Sequence, residues 1–288
     1  MAQLQLNPSK QRFRASDLGN WLLNSVLVLL ALFMLAPFLW VLVNALLPEQ
    51  EALSLPPKWI PVPLTFENFT SVFELIPFWL LIFNSLKIAL LTTAGALLVS
   101  VLAAYALARL RFPGRNLIFV TLLSSLMVPT QVTVIPIFIL IRTLNLLDTH
   151  EAVYIPAFMN VFAIFFLRQI FLTIPTELED AARIDGAGYL RRLFFLIVPL
   201  SKAALSSLAI FIFLTSWNDF FWPNLFLSSP EKMTLPVGLA SLHNPYGAGA
   251  PPVVIFAAIA LVLVPVLLLF SFAQRHITES FAKTGLKG

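Results

Sequence analysis

The chain has 288 residues, 59% of them hydrophobic and 11% charged, with a formal net charge of +4 and no cysteine. An ordinary soluble domain is about 25% charged, so a water-soluble fold of this length is excluded, as are disulfides, thiolate metal sites and cysteine nucleophiles. His150, His243 and His276 are scattered without an HExxH-like spacing, so no catalytic metal is expected.

Six apolar runs are predicted to span a membrane, since roughly 20 such residues cross a hydrocarbon core about 30 Å thick. They cover approximately Trp21–Leu47, Phe78–Leu110, Leu117–Ile141, Ala152–Phe171, Ala203–Trp222 and Val253–Ala273. The first follows Lys10, Arg12 and Arg14, as a signal peptide would, but it exceeds the usual apolar stretch of about 7–15 residues and is read as retained. After it comes a proline-studded, acidic loop expected to lie outside, with Trp59 and Trp79 as interfacial anchors.

The basic residues do not point to nucleic acid. Fourteen of the 18, from Lys10 through Arg109, Arg111, Arg115, Arg168, Arg183, Arg191 and Arg192 to Lys287, fall at span ends on one side. Lys58, Arg142 and Lys232 fall on the other side, and Lys87 lies inside a span. This positive-inside pattern predicts that both termini are cytoplasmic.

The second run holds Asn84, Ser85 and Lys87, and the third holds Gln131 between Pro129 and Pro136. Each proline frees a carbonyl that needs a partner in lipid, so the third span is expected to bend toward a cavity or another helix. The fifth run carries Asn218 and Asp219, on a helix that is predicted to continue to about Ser228. An intramembrane charge costs about 2.5–3.5 kcal/mol on insertion scales, so Lys87 and Asp219 are expected to pair or to line a watery path. Asn84, Ser85, Lys87, Gln131, Asn218 and Asp219 are therefore the candidate pathway residues. The plainer alternative is interhelical hydrogen bonding, worth about 0.6 kcal/mol each. Trp217 and Trp222 are open to two readings, stacking on a sugar ring or anchoring at the interface.

Between the fourth and fifth runs lies the charged stretch "TIPTELEDAARIDGAGYLRRL". Thr176 with Glu179 reads as a capping box after Pro175, and Gly186 reads as a stop. The intervening helix is too polar to insert and too short to be stable alone. It either docks into a partner's groove or merely links two spans.

This stretch resembles the EAA motif of the permease subunits of binding-protein-dependent ABC importers. Asp180, Ala181, Ala182, Gly186, Leu196, Val198 and Pro199 keep its spacing, with Asp for Glu, Leu for Ile and Val for Leu. "NSLKIALLTT", "AAYALARLRFPGRN", "VPTQVTVIPIF", "SWNDFFWP" and "TLPVGLASL" are similar to the carbohydrate-uptake, maltose-permease type. The resemblance implies an all-α integral membrane protein with six transmembrane helices and a cytoplasmic coupling helix at about residues 176–190. The organisation it implies is a tail, first helix and outer loop (residues 1–77), a transmembrane domain (78–275) and a cytoplasmic tail (276–288).

Glu179, Asp180, Ala181, Ala182, Arg183, Asp185, Gly186 and Ala187 would then be the residues gripped by an ATPase. The implied partners are a second permease in a heterodimer, two ATP-binding cassette subunits, an extracytoplasmic solute-binding protein and the lipid bilayer, with no nucleic acid. The implied location is a prokaryotic plasma membrane, and the implied cargo is a sugar or sugar-like solute. No GxxxxGK[ST] loop occurs, so ATP and magnesium would belong to the ATPase and this chain would bind no cofactor and perform no covalent chemistry. Other readings are a permease for a non-sugar solute, an ion-coupled carrier, which would be expected to show repeated halves, and a non-transporting scaffold.

Overall fold

A computed structural model describes residues 15–51, 59–243 and 249–285. The basic residues Lys10, Arg12, Arg14, Lys58 and Lys287 lie outside the described residues. Every regular element among the described residues is helical.

α1 (Ala15–Ala45) is apolar on all sides and exposed along most of its length, as a lipid-facing helix is. It meets the rest of the chain at its end, where Asn44, Ala45 and Leu47 are buried. Its terminal carbonyls are capped from α2 (Glu67–Leu75): Asn68 Nδ2 donates to the carbonyls of Ala45 and Leu47 at 2.9 and 2.8 Å. Trp59, expected as an anchor, stands edge-on to Trp40 at 5.0 Å, and Trp79 stacks on Phe73 at 5.8 Å.

α3 (Phe78–Arg109) is the centre of the bundle. Ser85, Ala89, Thr92, Ala96, Ser100, Ala104 and Ala108 recur at helical spacing and are all buried. Lipid offers no hydrophobic drive for helices to associate, and small side chains let backbones approach closely enough for dispersion to hold them. α3 accordingly packs against α6 (Glu151–Ala157), α7 (Val161–Thr173) and α11 (Lys202–Trp217).

The expected third span is two helices, α4 (Arg115–Ser125) and α5 (Thr130–Thr143), bent by 102°. Pro129 forces the break, because it lacks an N–H and pushes the residue before it out of helical geometry. Pro136 stays inside α5 without ending it. The run expected as a fifth span at Ala203–Trp222 is preceded by a further apolar stretch, and Tyr189–Leu200 meets Lys202–Trp217 at a bend of 83°. That preceding stretch comprises α9 (Tyr189–Arg192), a π-wound segment at Leu193–Ile197 and α10 (Val198–Leu200). The helix expected to run on to Ser228 stops at Trp217, and α12 (Phe221–Phe226) follows a gap.

α8 (Thr176–Ile184) lies between the fourth and fifth spans, α13 (Leu235–Ser241) packs on α3, and α14 (Pro252–Gly285) packs on α1, α2 and α11. Among the described residues three helical stretches are long and apolar enough to cross a membrane: Asn20–Ala45, Phe78–Arg109 and Glu151–Thr173. Counting each bent pair as one span makes five, and Pro252–Leu267 adds a shorter apolar helix.

Candidate functional site

The charged segment after the fourth span folds as the sequence suggests at its end and differently at its start. Pro175 occupies the N-cap with φ −56° and ψ 135°, and no side chain caps the helix. Thr176 is the first helical residue, so the expected capping box does not form. Glu179 is pulled the other way, into the bundle. Its Oε1 lies 3.0 Å from Arg109 Nε, its Oε2 accepts from the Tyr105 hydroxyl at 3.2 Å, and Arg192 Nη1 stands 3.8 Å from Oε2.

The arginines also serve as structural ties. Arg109 donates from Nη2 to the carbonyls of Phe171 and Ile174, fixing the chain that enters α8. Arg192 packs over the Tyr189 ring at 4.7 Å. One buried carboxylate thus ties together the end of α3, the first turn of α8 and the end of α9. These partners were missed in the sequence, where Arg109 and Arg192 read only as cytoplasmic charge. Spacing along the helix does not single Glu179 out, since Asp180 also lies one turn before Arg183.

At its end α8 closes with a Schellman motif: Ala187 N donates to Ala182 O at 2.9 Å and Gly186 N to Arg183 O at 3.1 Å. Gly186 has φ +79°, where a side chain would be strained. Asp180, Ala181, Arg183 and Asp185 are exposed, Ala182 and Ala187 are half-buried, and Ile184 is 87% exposed. Ile184 is the most exposed of the large apolar side chains among the described residues.

The candidate pathway residues do not form one group. Asn84 Nδ2 donates to the carbonyls of Glu231 and Met233 at 2.9 and 3.0 Å, and Ser85 Oγ accepts from Leu235 N at 2.7 Å. Both are buried ties from α3 to the turn entering α13. Gln131 is exposed on α5. Asn218 Nδ2 donates to Leu214 O at 2.8 Å, and Asp219 Oδ1 accepts from the amides of Phe221 and Trp222 at 3.0 and 3.4 Å. The Lys87–Asp219 pair does not form. Lys87 Nζ lies 3.3 Å from His150 Nδ1, and His150 Nε2 lies 2.9 Å from the Lys232 carbonyl. A carbonyl only accepts, so Nε2 carries the hydrogen and Nδ1 receives the lysine.

A second polar cluster joins the α5–α6 turn to the segment after α12. Asp148, at φ 56°, accepts at Oδ1 from the amides of Ser228 and Ser229, both at 2.9 Å. Its Oδ2 accepts from Ser229 Oγ at 2.5 Å and Lys232 Nζ at 3.0 Å. The Ser229 hydroxyl, then the two amides, hold this carboxyl well below its ordinary value of 3.8. A depressed folded-state value means that the clamp stabilises fully above the ordinary value and loses that contribution progressively as pH falls from there through the folded one. The expected result is that the thermal advantage of the parent over Asp148→Asn in detergent is full at pH 7 and shrinks only below about pH 4. An advantage already lost at pH 6 would refute the clamp.

A family model described as binding-protein-dependent transport system inner membrane component matches residues 96–283. The arabinooligosaccharides transport system permease protein AraQ of Halalkalibacterium halodurans is 35% identical over 278 residues, 96% of this chain and 99% of that protein. The sn-glycerol-3-phosphate transport system permease protein UgpE of Yersinia enterocolitica is 34% identical, over 87% of this chain and 91% of that one. Among solved structures, a chain of a bacterial ABC transporter involved in the import of the acidic polysaccharide alginate superposes with a TM-score of 0.80 at 25% identity, covering 92% of this chain and 99% of that one.

Proposed function

This chain belongs to the family of binding-protein-dependent transport system inner membrane components, and from that premise we propose that it carries a sugar or sugar-like solute into a prokaryotic cytoplasm by ATP-driven alternating access. It is the permease subunit of an ABC importer, a transport component and not an enzyme. Six spans cross the plasma membrane, the bent pairs each counting as one and α14 supplying the last, with both termini cytoplasmic. A solute-binding protein delivers the cargo from outside. A second permease completes the pathway as a heterodimer, and two ATPase subunits hold the ATP and magnesium.

The observation that carries this reading is the geometry of α8. Its outer face offers Ala181, Arg183, Ile184 and Asp185, while Glu179 anchors the helix to α3 and α9 through buried charge. A helix that is free outward and bolted inward transmits a push. In this reading Asp180, Ala181, Ala182, Arg183, Asp185, Gly186 and Ala187 sit in an ATPase cleft, and Glu179 passes the movement on. The sugar class follows from the arabinooligosaccharide and alginate relatives.

The chain lacks cysteine, so a single one placed at Ile184 is a clean probe. In the reconstituted importer, Ile184→Cys is expected to cross-link to the ATPase subunit, and solute uptake is expected to require ATP and to survive an uncoupler. An Ile184→Cys chain that cross-links to nothing, or uptake that the uncoupler abolishes, would sink the proposal.

A further inference from the structure

Two helix interruptions open on one cavity. α6 and α7 are parted at Phe158–Asn160, and α11 and α12 at Asn218–Phe220. Asn160 from the first gap, Asp219 from the second and Trp222 on α12 line a cavity of about 210 Å³, together with Thr92 and Ser216 and apolar side chains that include Val153 and Phe211. Thr92 lies near the middle of α3, so the cavity sits near mid-depth of that span. Irregular backbone at membrane depth is tolerated only where protein or a watery cavity receives its polar groups.

The lining is short of partners. Thr92 is 5% exposed and its Oγ1 has no hydrogen-bond partner among the described residues. Asn160 uses Oδ1 to cap α7 through Ala163 N at 2.9 Å, and its amide donors meet no protein acceptor among the described residues. Asp219 is held by backbone amides at Oδ1, and its Oδ2 has no protein partner among the described residues. A buried hydroxyl left unsatisfied is costly, and an ionisable group inside a span marks a functional site more often than a structural one. Among the described residues no lysine or arginine lines the cavity.

We infer that this cavity is a subsite for one sugar unit of a neutral polyhydroxylated solute. The inference rests on the sugar-import reading above and narrows its cargo. Asp219 Oδ2 accepts from solute hydroxyls, a charge-assisted bond stronger than a neutral one. The Asn160 amide donates to a hydroxyl oxygen, and Thr92 and Ser216 serve in either sense. Trp222 supplies an apolar wall to a ring face. A phosphorylated, sulfonated or uronic solute would bring its charge against Asp219 in a low-dielectric site and is rejected.

The test uses the complete importer in proteoliposomes, given a defined mixture of neutral oligosaccharides and polyols together with a mixture of sugar phosphates, with uptake read by mass spectrometry. The parent is expected to import a neutral member. Thr92→Val and Asp219→Asn are expected to lower its maximal rate at least tenfold, while Thr92→Ser restores it; elution volume and Tm report folding separately. Parent-like rates in both variants, loss in Thr92→Val that Thr92→Ser does not rescue, or a parent that prefers sugar phosphates would overturn the subsite and leave the sugar-import reading standing. Uptake of nothing in either mixture would overturn that reading and the subsite with it.

Discussion

Replacing Glu179 with alanine is expected to abolish transport while leaving insertion into the membrane intact. The Glu179 side chain is 9% exposed and lies between Arg109 and Arg192, whose side chains are 7% and 10% exposed. Removing one member of a buried ion pair strands the other, at a cost of about 3–5 kcal/mol. Here two arginines are stranded, and Tyr105 loses its acceptor. The loss falls on the joint between α8 and α3, so ATP hydrolysis by the assembled complex should continue without moving solute. Asp180→Ala, one residue on and exposed, is expected to change thermal stability little. Matching thermal curves for the two variants, or parent-like uptake by Glu179→Ala, would show that the joint does not carry the coupling.

Gly95→Val is expected to destabilise the bundle by about 1–3 kcal/mol, the usual range for overpacking. A Cβ at Gly95 would lie 2.2 Å from the Phe158 ring, closer than real Cβ contacts come. Phe158 sits in the gap between α6 and α7 and stacks on Tyr154 at 5.7 Å, so the ring has little freedom to withdraw. A side chain at 95 would gain helix propensity over glycine, about 1 kcal/mol for alanine and less for valine, which does not offset the clash. The check is a double-mutant cycle read by thermal unfolding in detergent: Gly95→Val combined with Phe158→Ala should lose less than the sum of the two singles. Additive losses would mean that the close approach at Gly95 is not what sets the cost.

Long elements were legible because their cause is local. α1 and α3 announce themselves as unbroken apolar runs, and α8 is delimited by Pro175 and Gly186, both of which act through their own backbone. The break at Pro129 was readable too, although its 102° angle was not, and nothing in the residues distinguishes it in advance from Pro136, which its helix absorbs. The gap at Asn218–Phe220 has no proline or glycine to betray it; its signal is the Asn–Asp pair, whose side chains satisfy backbone groups on either flank.

The site was harder to read because its partners are remote in the chain. Tyr105 is 74 residues from Glu179, and Lys87 is 63 from His150, so composition and spacing could not decide which charges meet. The cost of a charge within a span leads to the expectation that Lys87 and Asp219 pair or line a watery path, but it carries no information on helix rotation, which turns Lys87 to His150. Asn84 and Ser85, polar within a span, are open in the sequence to two readings, lining a pathway or hydrogen bonding between helices. They spend that polarity on the backbone around Glu231–Leu235.

α3 stays continuous where the third, fourth and fifth spans are interrupted. Its 32 residues reach about 48 Å at 1.5 Å each. It holds the Arg109 joint at its foot, Thr92 at mid-height and the Asn84 and Ser85 ties near its top. A stiff rod of that length turns a small tilt into a large sweep: about 10° at the foot displaces the far end by about 8 Å. In the proposed alternating-access cycle the jointed helices around it yield at their breaks, and such a stroke reshapes the mid-height chamber without melting any helix.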